Sequence, residues 1–226
     1  MLLPLYGALG PLGYRHAAPS ETANLSSGLV SAFLFEESPY TDSVDAGTLT
    51  DGAAPPVSGA GKNNLGLSSA GGDYVLSNNI DLSVSTGDFT YSFWFKMDPL
   101  AQADYFFVLI DALGAGYYAV QLSLTNVVQF TDLLDFNEDG TILVTAGVYH
   151  NLAVIYDEAT TTSSVYLDGV LDQTFVLDLD VTSGPLQSIQ IGSIVSTVIA
   201  WDELYFWSRK LNVTEITALQ TQFYPF

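Results

Sequence analysis

Residues 149–169 read YHNLAVIYDEATTTSSVYLDG, and this stretch decides the fold. Within it Leu152, Val154 and Tyr156 fall on one side of an extended chain. Ala153 and Ile155 fall on the other, because successive side chains of a strand point to opposite faces. Both sides are apolar, which suits a strand in the middle of a sheet and covered on both faces. A second apolar run, SSVYLD at 163–168, follows. Asp168-Gly169 then predicts a tight hairpin into VLDQTF, since glycine tolerates positive φ.

The same pattern extends outward. In 88–97 Phe89, Tyr91, Phe93 and Phe95 share one face, and Thr90, Ser92 and Trp94 the other. Further strands are expected at 29–35, 73–77, 105–111, 117–124, 127–131, 141–145, 173–178, 187–193 and 198–208. They are rich in Val, Ile, Tyr, Phe and Trp, which fit a half-buried pleated surface. Asp139-Gly140 is read as a second hairpin turn, and 38–63 as a long strand-poor loop. Near the end Asn212 and Glu215 form a capping box opening a short helix whose apolar face is Ile216, Leu219 and Phe223. Short strands between turn residues define an all-β sandwich.

The first twenty residues differ from the rest. MLLPLYGALGPLGYRHAAPS holds no acidic residue and one Arg, whereas all 25 Asp and Glu of this 226-residue chain lie beyond it. Residues 1–27 are read as an extended apolar arm, with Pro4 and Pro11 disfavouring helix before them. Residues 28–226 are read as one domain. Leu2, Leu3, Leu5, Tyr6, Leu9, Leu12 and Tyr14 are poorly solvated alone and make the arm a candidate surface for binding a partner or a neighbouring copy. The broken apolar run and the position of Arg15 after it argue against a secretory signal.

Composition removes several function classes. A net charge of −20 opposes binding to nucleic acid or to an anionic membrane surface. No apolar stretch reaches the roughly 18–20 residues of a membrane-spanning helix. With no Cys and two His, redox chemistry and transition-metal sites are disfavoured.

The ordered segments GLVSAFLFEES (28–38), GGDYVLS (71–77), LSVSTGDFTYSFWFKM (82–97), GVYHNLAVIYDEATTTSSVYLDGVL (147–171), IQIGS (189–193) and WDELYFWSRKLNVTEITAL (201–219) resemble the laminin-G-like, concanavalin A-like jelly-roll family. The resemblance runs from Gly28 to Leu219. It implies a sandwich of two antiparallel sheets and a protein that binds: carbohydrates, proteins, or calcium with one of these. Some members are structural proteins of viruses. Tyr149 stands where the family usually carries a larger aromatic, often Trp. The family's acidic-and-glycine loop is kept only loosely in Ser38–Gly47.

The candidate chemistry is sparse. Asp202 and Glu203 are adjacent, so in a regular strand they point apart, unlike the carboxylate pair of a glycoside hydrolase. Glu203 is expected to pair with Arg209 or Lys210, or to bond loop amides. His150, at the start of a strand, is expected to hold a loop. Asp135, Asn137 and Asp139 match the D-x-N-x-D-G half of a calcium loop, but the twelfth position is Ala146 where such a loop needs Glu. Asp42, Asp45 and Asp51 form a weaker acidic cluster. Trp94, Trp201 and Trp207, and with them Tyr40, Tyr105 and Tyr149, are the aromatics available to stack on sugars, with core packing the competing role. Asn24 and Asn212 begin glycosylation sequons.

These readings converge on a non-enzymatic structural protein. The expected setting is the surface of a virion made in a host cytoplasm, as a bacteriophage head-decoration or tail-surface protein. Its partners would be other virion proteins or copies of itself, held through the arm. The alternative is a secreted or surface carbohydrate-binding module with calcium at 135–139.

Overall fold

The computed structural model describes residues 23–36, 40–44, 48–51, 57–69, 74–77, 87–98, 105–111, 117–131, 137–176, 186–192 and 199–226. The arm residues Leu2 to Tyr14, and also Asp45 and Asp135, lie outside them.

Among the described residues sixteen strands form two antiparallel sheets. The first runs β14 (Val170–Val176), β13 (Thr162–Leu167), β12 (His150–Asp157), β7 (Phe89–Met97), β16 (Ile199–Trp207), β5 (Leu65–Ser69), β4 (Val57–Ala60), with β1 (Leu29–Phe33) also paired to β16. The second runs β11 (Asn137–Leu143), β10 (Val127–Thr131), β9 (Tyr117–Leu122), β8 (Tyr105–Asp111), β15 (Leu186–Gly192), β6 (Tyr74–Ser77), β3 (Thr48–Asp51), β2 (Tyr40–Thr41). This is the expected all-β, two-sheet jelly-roll sandwich.

The stretch at 149–169 behaves as its pattern dictates. β12 lies between β7 and β13, with Val154 opposite Tyr91 on one side and Val165 on the other. Leu152, Val154 and Tyr156 enter the core between the sheets, where Phe89, Tyr91, Phe93 and Phe95 of β7 also point. Phe107 of β8 meets Phe93 at 4.8 Å and Tyr91 at 5.1 Å between ring centroids, so aromatic stacking joins the two layers. Asp168 and Gly169 take φ of 52° and 78°, the two positive values that a tight turn matching the strands' twist requires.

Ala153 and Ile155 face outward with Tyr205 and Trp207, yet they are buried. Leu25, Leu211, Ile216 and Leu219 cover them, and Tyr224 and Phe226 pack alongside. The cover includes helix α1 (Val213–Ala218). Asn212 Oδ1 accepts from the Glu215 N–H at 3.0 Å and Glu215 Oε2 from the Asn212 N–H at 2.9 Å, which is the capping box read from NVTE.

Two expectations fail. The stretch 38–63 holds β2, β3 and β4, and β5 follows it unforeseen. These strands are short and rich in Gly, Ser, Thr and Ala, and pairing to β5, β6 and β16 rather than intrinsic preference makes them extended. Asp139-Gly140 is not a turn. Both residues lie inside β11, with Asp139 opposite Gln129. A Cβ at Gly140 would collide with the Asp172 carboxylate, so the glycine serves a close approach and not a bend.

Candidate functional site

β16 is a long strand with a divided neighbour. Along one edge it pairs with β7; along the other it pairs first with β5, over Ile199–Trp201, and then with β1, over Leu204–Trp207. The register slips between Asp202 and Tyr205, and Glu203 takes φ of 53°. This bulge overturns the divergence expected of adjacent residues, because an inserted residue re-aims the side chains around it. Asp202 Oδ2 accepts from the Asn63 N–H at 2.8 Å, and Glu203 Oε1 accepts from Asn63 Nδ2 at 3.0 Å. Two carboxyls therefore converge on one asparagine of the β4–β5 turn. Glu203 also accepts from the Tyr205 hydroxyl, not from Arg209 or Lys210.

The pair is sealed: Asp202 is 0% and Glu203 1% exposed. Burial, opposed by the Asn63 N–H and reinforced by the Glu203 charge, pushes Asp202 up to about 8. Burial, opposed by the Asn63 side chain and reinforced by Glu36, pushes Glu203 up to about 7. Burial and the nearby Asp202 push Tyr149 up to about 12. Hydrolysis of a glycosidic bond needs two carboxyl groups that reach the substrate. These two instead tie a turn to the sheet. The Tyr205 hydroxyl that donates to Glu203 also accepts from the Tyr224 N–H at 3.0 Å, which extends the tie to the C-terminal tail.

The single histidine of the body works as expected. His150 Nε2 accepts from the Thr145 N–H at 3.0 Å, so its proton sits on Nδ1, which donates to Asp168 Oδ2 at 2.7 Å. It pins the 145–149 loop to the β13–β14 hairpin. Burial raises the Asp168 pKa, but the His150 hydrogen bond and the Asn151 N–H hold the carboxyl below its usual value.

The aromatic candidates for sugar stacking are mostly covered. Trp201 and Trp207 are in the core clusters. Trp94 is 4% exposed beneath the Lys62 ammonium, 4.3 Å from the ring. Tyr40 is buried against Phe35. Tyr149 remains half-buried, with Lys96 Nζ 4.8 Å over its ring and its hydroxyl donating to the Ala60 carbonyl.

The calcium candidates are only partly placed. Asn137 and Asp139 sit two apart on edge strand β11, both exposed, with Asp139 accepting from Gln129 Nε2 at 2.6 Å. Asp42 is committed to the Ala32 and Val44 N–H groups and the Ser31 hydroxyl. Among the described residues no three His, Asp or Glu side chains are grouped to hold a metal ion.

A further organised cluster lies where residues 24–28 meet the body. Arg209 donates from Nη1 and Nη2 to both oxygens of Glu215, each at 2.8 Å. The same guanidinium donates from Nη2 to the Asn24 carbonyl at 2.8 Å and from Nε to the Ser27 carbonyl at 2.6 Å. Trp207 Nε1 donates to the Leu25 carbonyl at 2.7 Å, and Leu25 is buried beneath α1. Burial raises the Glu215 pKa, but the Arg209 guanidinium with the Asn212 and Asn24 N–H groups outweighs it and holds the carboxyl low. A bidentate guanidinium–carboxylate pair has fixed geometry, so the chain leaves the body at Ala23 from one defined position. Sequence reasoning read Glu215 as a cap and missed this clasp. Its only local sign is the spacing of Arg209 ahead of the NVTE box.

With this geometry in view, the comparisons agree with the architecture. A family model described as the concanavalin A-like lectin/glucanases superfamily matches residues 69–217. The chain belongs to that superfamily. No curated protein matches it. Among solved structures, the binding domain of botulinum neurotoxin DC in complex with rat synaptotagmin II superposes with a TM-score of 0.67 at 12% identity, covering 85% of this chain and 51% of that one. The botulinum neurotoxin type G receptor-binding domain gives 0.65 at 13%, with 86% and 51% covered. A structure titled for the entry of botulinum neurotoxin type C through two ganglioside molecules gives 0.67 at 13%, with 88% and 52% covered. This chain thus spans about half the length of the structures it matches. At such identity the likeness is one of fold.

Proposed function

We propose that this chain is a non-enzymatic binding and structural domain that is attached to a larger assembly through its N-terminal arm, as a surface protein of a virion such as a bacteriophage head-decoration or tail-surface protein. The observation that carries the reading is the clasp at residues 24–28. Arg209, Glu215 and Trp207 fix the root of an arm whose first twenty residues carry no acid, in a chain whose acidic residues all lie beyond them. Acidic bodies repel one another, so attachment is best made through a terminal segment free of negative charge. The sealing of Asp202 and Glu203 supports a role without hydrolysis.

Deletion of residues 1–20 tests it. The truncated protein is expected to stay folded, with an unchanged melting temperature, and to be lost from purified particles or assemblies. Normal incorporation of the truncated protein would show the attachment reading to be wrong. Membership in a lectin-containing superfamily favours one second reading, a carbohydrate-binding module. A micromolar hit by the truncated body on a glycan array, with or without chelator, would favour that reading. Any glycan site would use residues other than the buried Trp94, Trp201 and Trp207.

A further inference from the structure

Of the nine large apolar side chains that stand in solvent among the described residues, five gather at one corner of the sandwich. They are Leu124, Leu143, Val148, Val170 and Leu171, each 47–73% exposed. The other four stand apart: Val44 beyond β2, Leu65 in β5, Val176 at the far end of β14 and Val213 in α1. Hydrogen bonds draw the five together. Asp172 Oδ1 accepts from the Ile142 N–H at 2.8 Å, which brings Leu143 of β11 to the strand that carries Val170 and Leu171. The Asn126 carbonyl accepts from the Val144 N–H at 2.8 Å, which sets the β9–β10 turn carrying Leu124 next to Leu143. His150 ties Thr145 to Asp168, so the loop carrying Val148 lies against the hairpin that leads into Val170. Scattered apolar residues on a surface are ordinary, whereas a contiguous group marks a site of interaction.

The corner is also uncharged, in a chain of net charge −20. Residues 123–126 and 141–149, which supply its turn and loop, contain no Asp, Glu, Lys or Arg. Asp172 is buried, and at the border stand Asp98, beside Gly147, and Asp168, held by His150. We infer that this corner is a self-association surface, taken by the same corner of a second copy about a two-fold axis. A partner drawn by charge would need carboxylates within the patch. The matching face is instead apolar and uncharged, which the same corner of another copy supplies. Elsewhere two bodies of this charge repel. A patch that matches itself closes as an isologous pair. Five apolar side chains and their uncharged neighbours come to roughly a dozen residues a side, where stable interfaces use about 20–30. The pair is accordingly weak and reversible in free solution, and it gains when copies are held side by side on a common assembly. The surface is separate from the arm, so the inference does not depend on the attachment reading.

Sedimentation velocity of the full chain, from micromolar to near-millimolar, tests it at about 0.05 and 0.5 M salt, where screening differs several-fold. A reversible monomer–dimer equilibrium is expected, tightening with salt as the repulsion between bodies is screened. Leu143→Asp and Val170→Asp, both at exposed positions, should each weaken the dimer about ten-fold or more, since each buries an unpaired charge at the contact. Val213→Asp, on α1, should leave it unchanged. Unchanged melting temperatures show that the variants fold. A chain that stays monomeric at the highest concentration in high salt overturns the inference. So does a dimer indifferent to both corner variants, or one lost on deletion of residues 1–20, which would move self-association to the arm. If the chain stays monomeric yet the corner variants are lost from purified assemblies, the surface belongs to a different protein and the second copy is overturned. A dimer that survives the deletion and yields to the corner variants supports the inference, whether or not the deletion abolishes assembly.

Discussion

Near neutral pH Asp202 is largely protonated and Glu203 about half so, because burial penalises their charged forms more than Asn63 stabilises them. Their folded pKa values lie above the unfolded carboxyl range. The folded state therefore binds more protons between about pH 4 and 8, and stability falls as pH rises through that window. The contribution is fully present below the unfolded value and is lost through about 7 and 8. The melting temperature is expected to drop between pH 5.5 and 8.5, and the drop should be much smaller in Asp202→Asn, which keeps an acceptor for the Asn63 N–H. A melting curve that is flat in the parent, or equally steep in the variant, would contradict this. His150 joins two loops through its hydrogen bonds. His150→Ala removes the hydrogen bonds to the Thr145 N–H and the Asp168 carboxylate, both at solvent-reached residues, and should cost about 0.5–1.5 kcal/mol, the net range for such bonds. The Thr145 amide should then exchange with solvent markedly faster, which hydrogen-exchange measurement would read.

At the scale of elements, the sandwich closes where its two edge strands meet. β14 belongs to one sheet and β11 to the other, and Asp172 spans them. Its Oδ1 accepts from the Thr141 N–H at 2.6 Å, the Ile142 N–H at 2.8 Å and the Thr141 hydroxyl at 2.8 Å. The absence of a side chain at Gly140 lets the carboxylate approach. Asp172→Ala removes these hydrogen bonds to a charged acceptor and should cost about 2–3 kcal/mol. Equilibrium denaturation would measure the loss. Amide exchange should rise across 137–143, whereas protection of β12 and β7 is retained, because their partners are unaffected. The described part of the stretch that suggested a calcium loop, from Asn137 on, is thus an edge strand fastened by an aspartate thirty-odd residues later, and nothing in its own residues announces that partner.

Over the whole molecule, sequence order places every acidic residue beyond the first twenty positions, and the structure shows residues 24–28 fastened to the body. Alternation in 88–97 and 149–157, the turn at Asp168-Gly169 and the capping box at Asn212–Glu215 depend on neighbours within a few positions. Each was readable because a strand's period is two and because turn and cap chemistry is local. The strands at 40–41, 48–51, 57–60 and 65–69 were not, since weakly preferring residues become extended only when a partner strand supplies the hydrogen bonds. The sites were legible least of all. Asn63 meets Asp202 across 139 positions, and Arg209 meets Asn24 across 185. Local pattern, being set by the chain's own geometry, determined the sandwich and the helix. Where β5 ends and β1 begins along β16 decided that two adjacent acids turn together, and the packing of α1 decided that the arm's root is held. Both depend on contacts between distant segments, which only the folded chain brings within hydrogen-bond range.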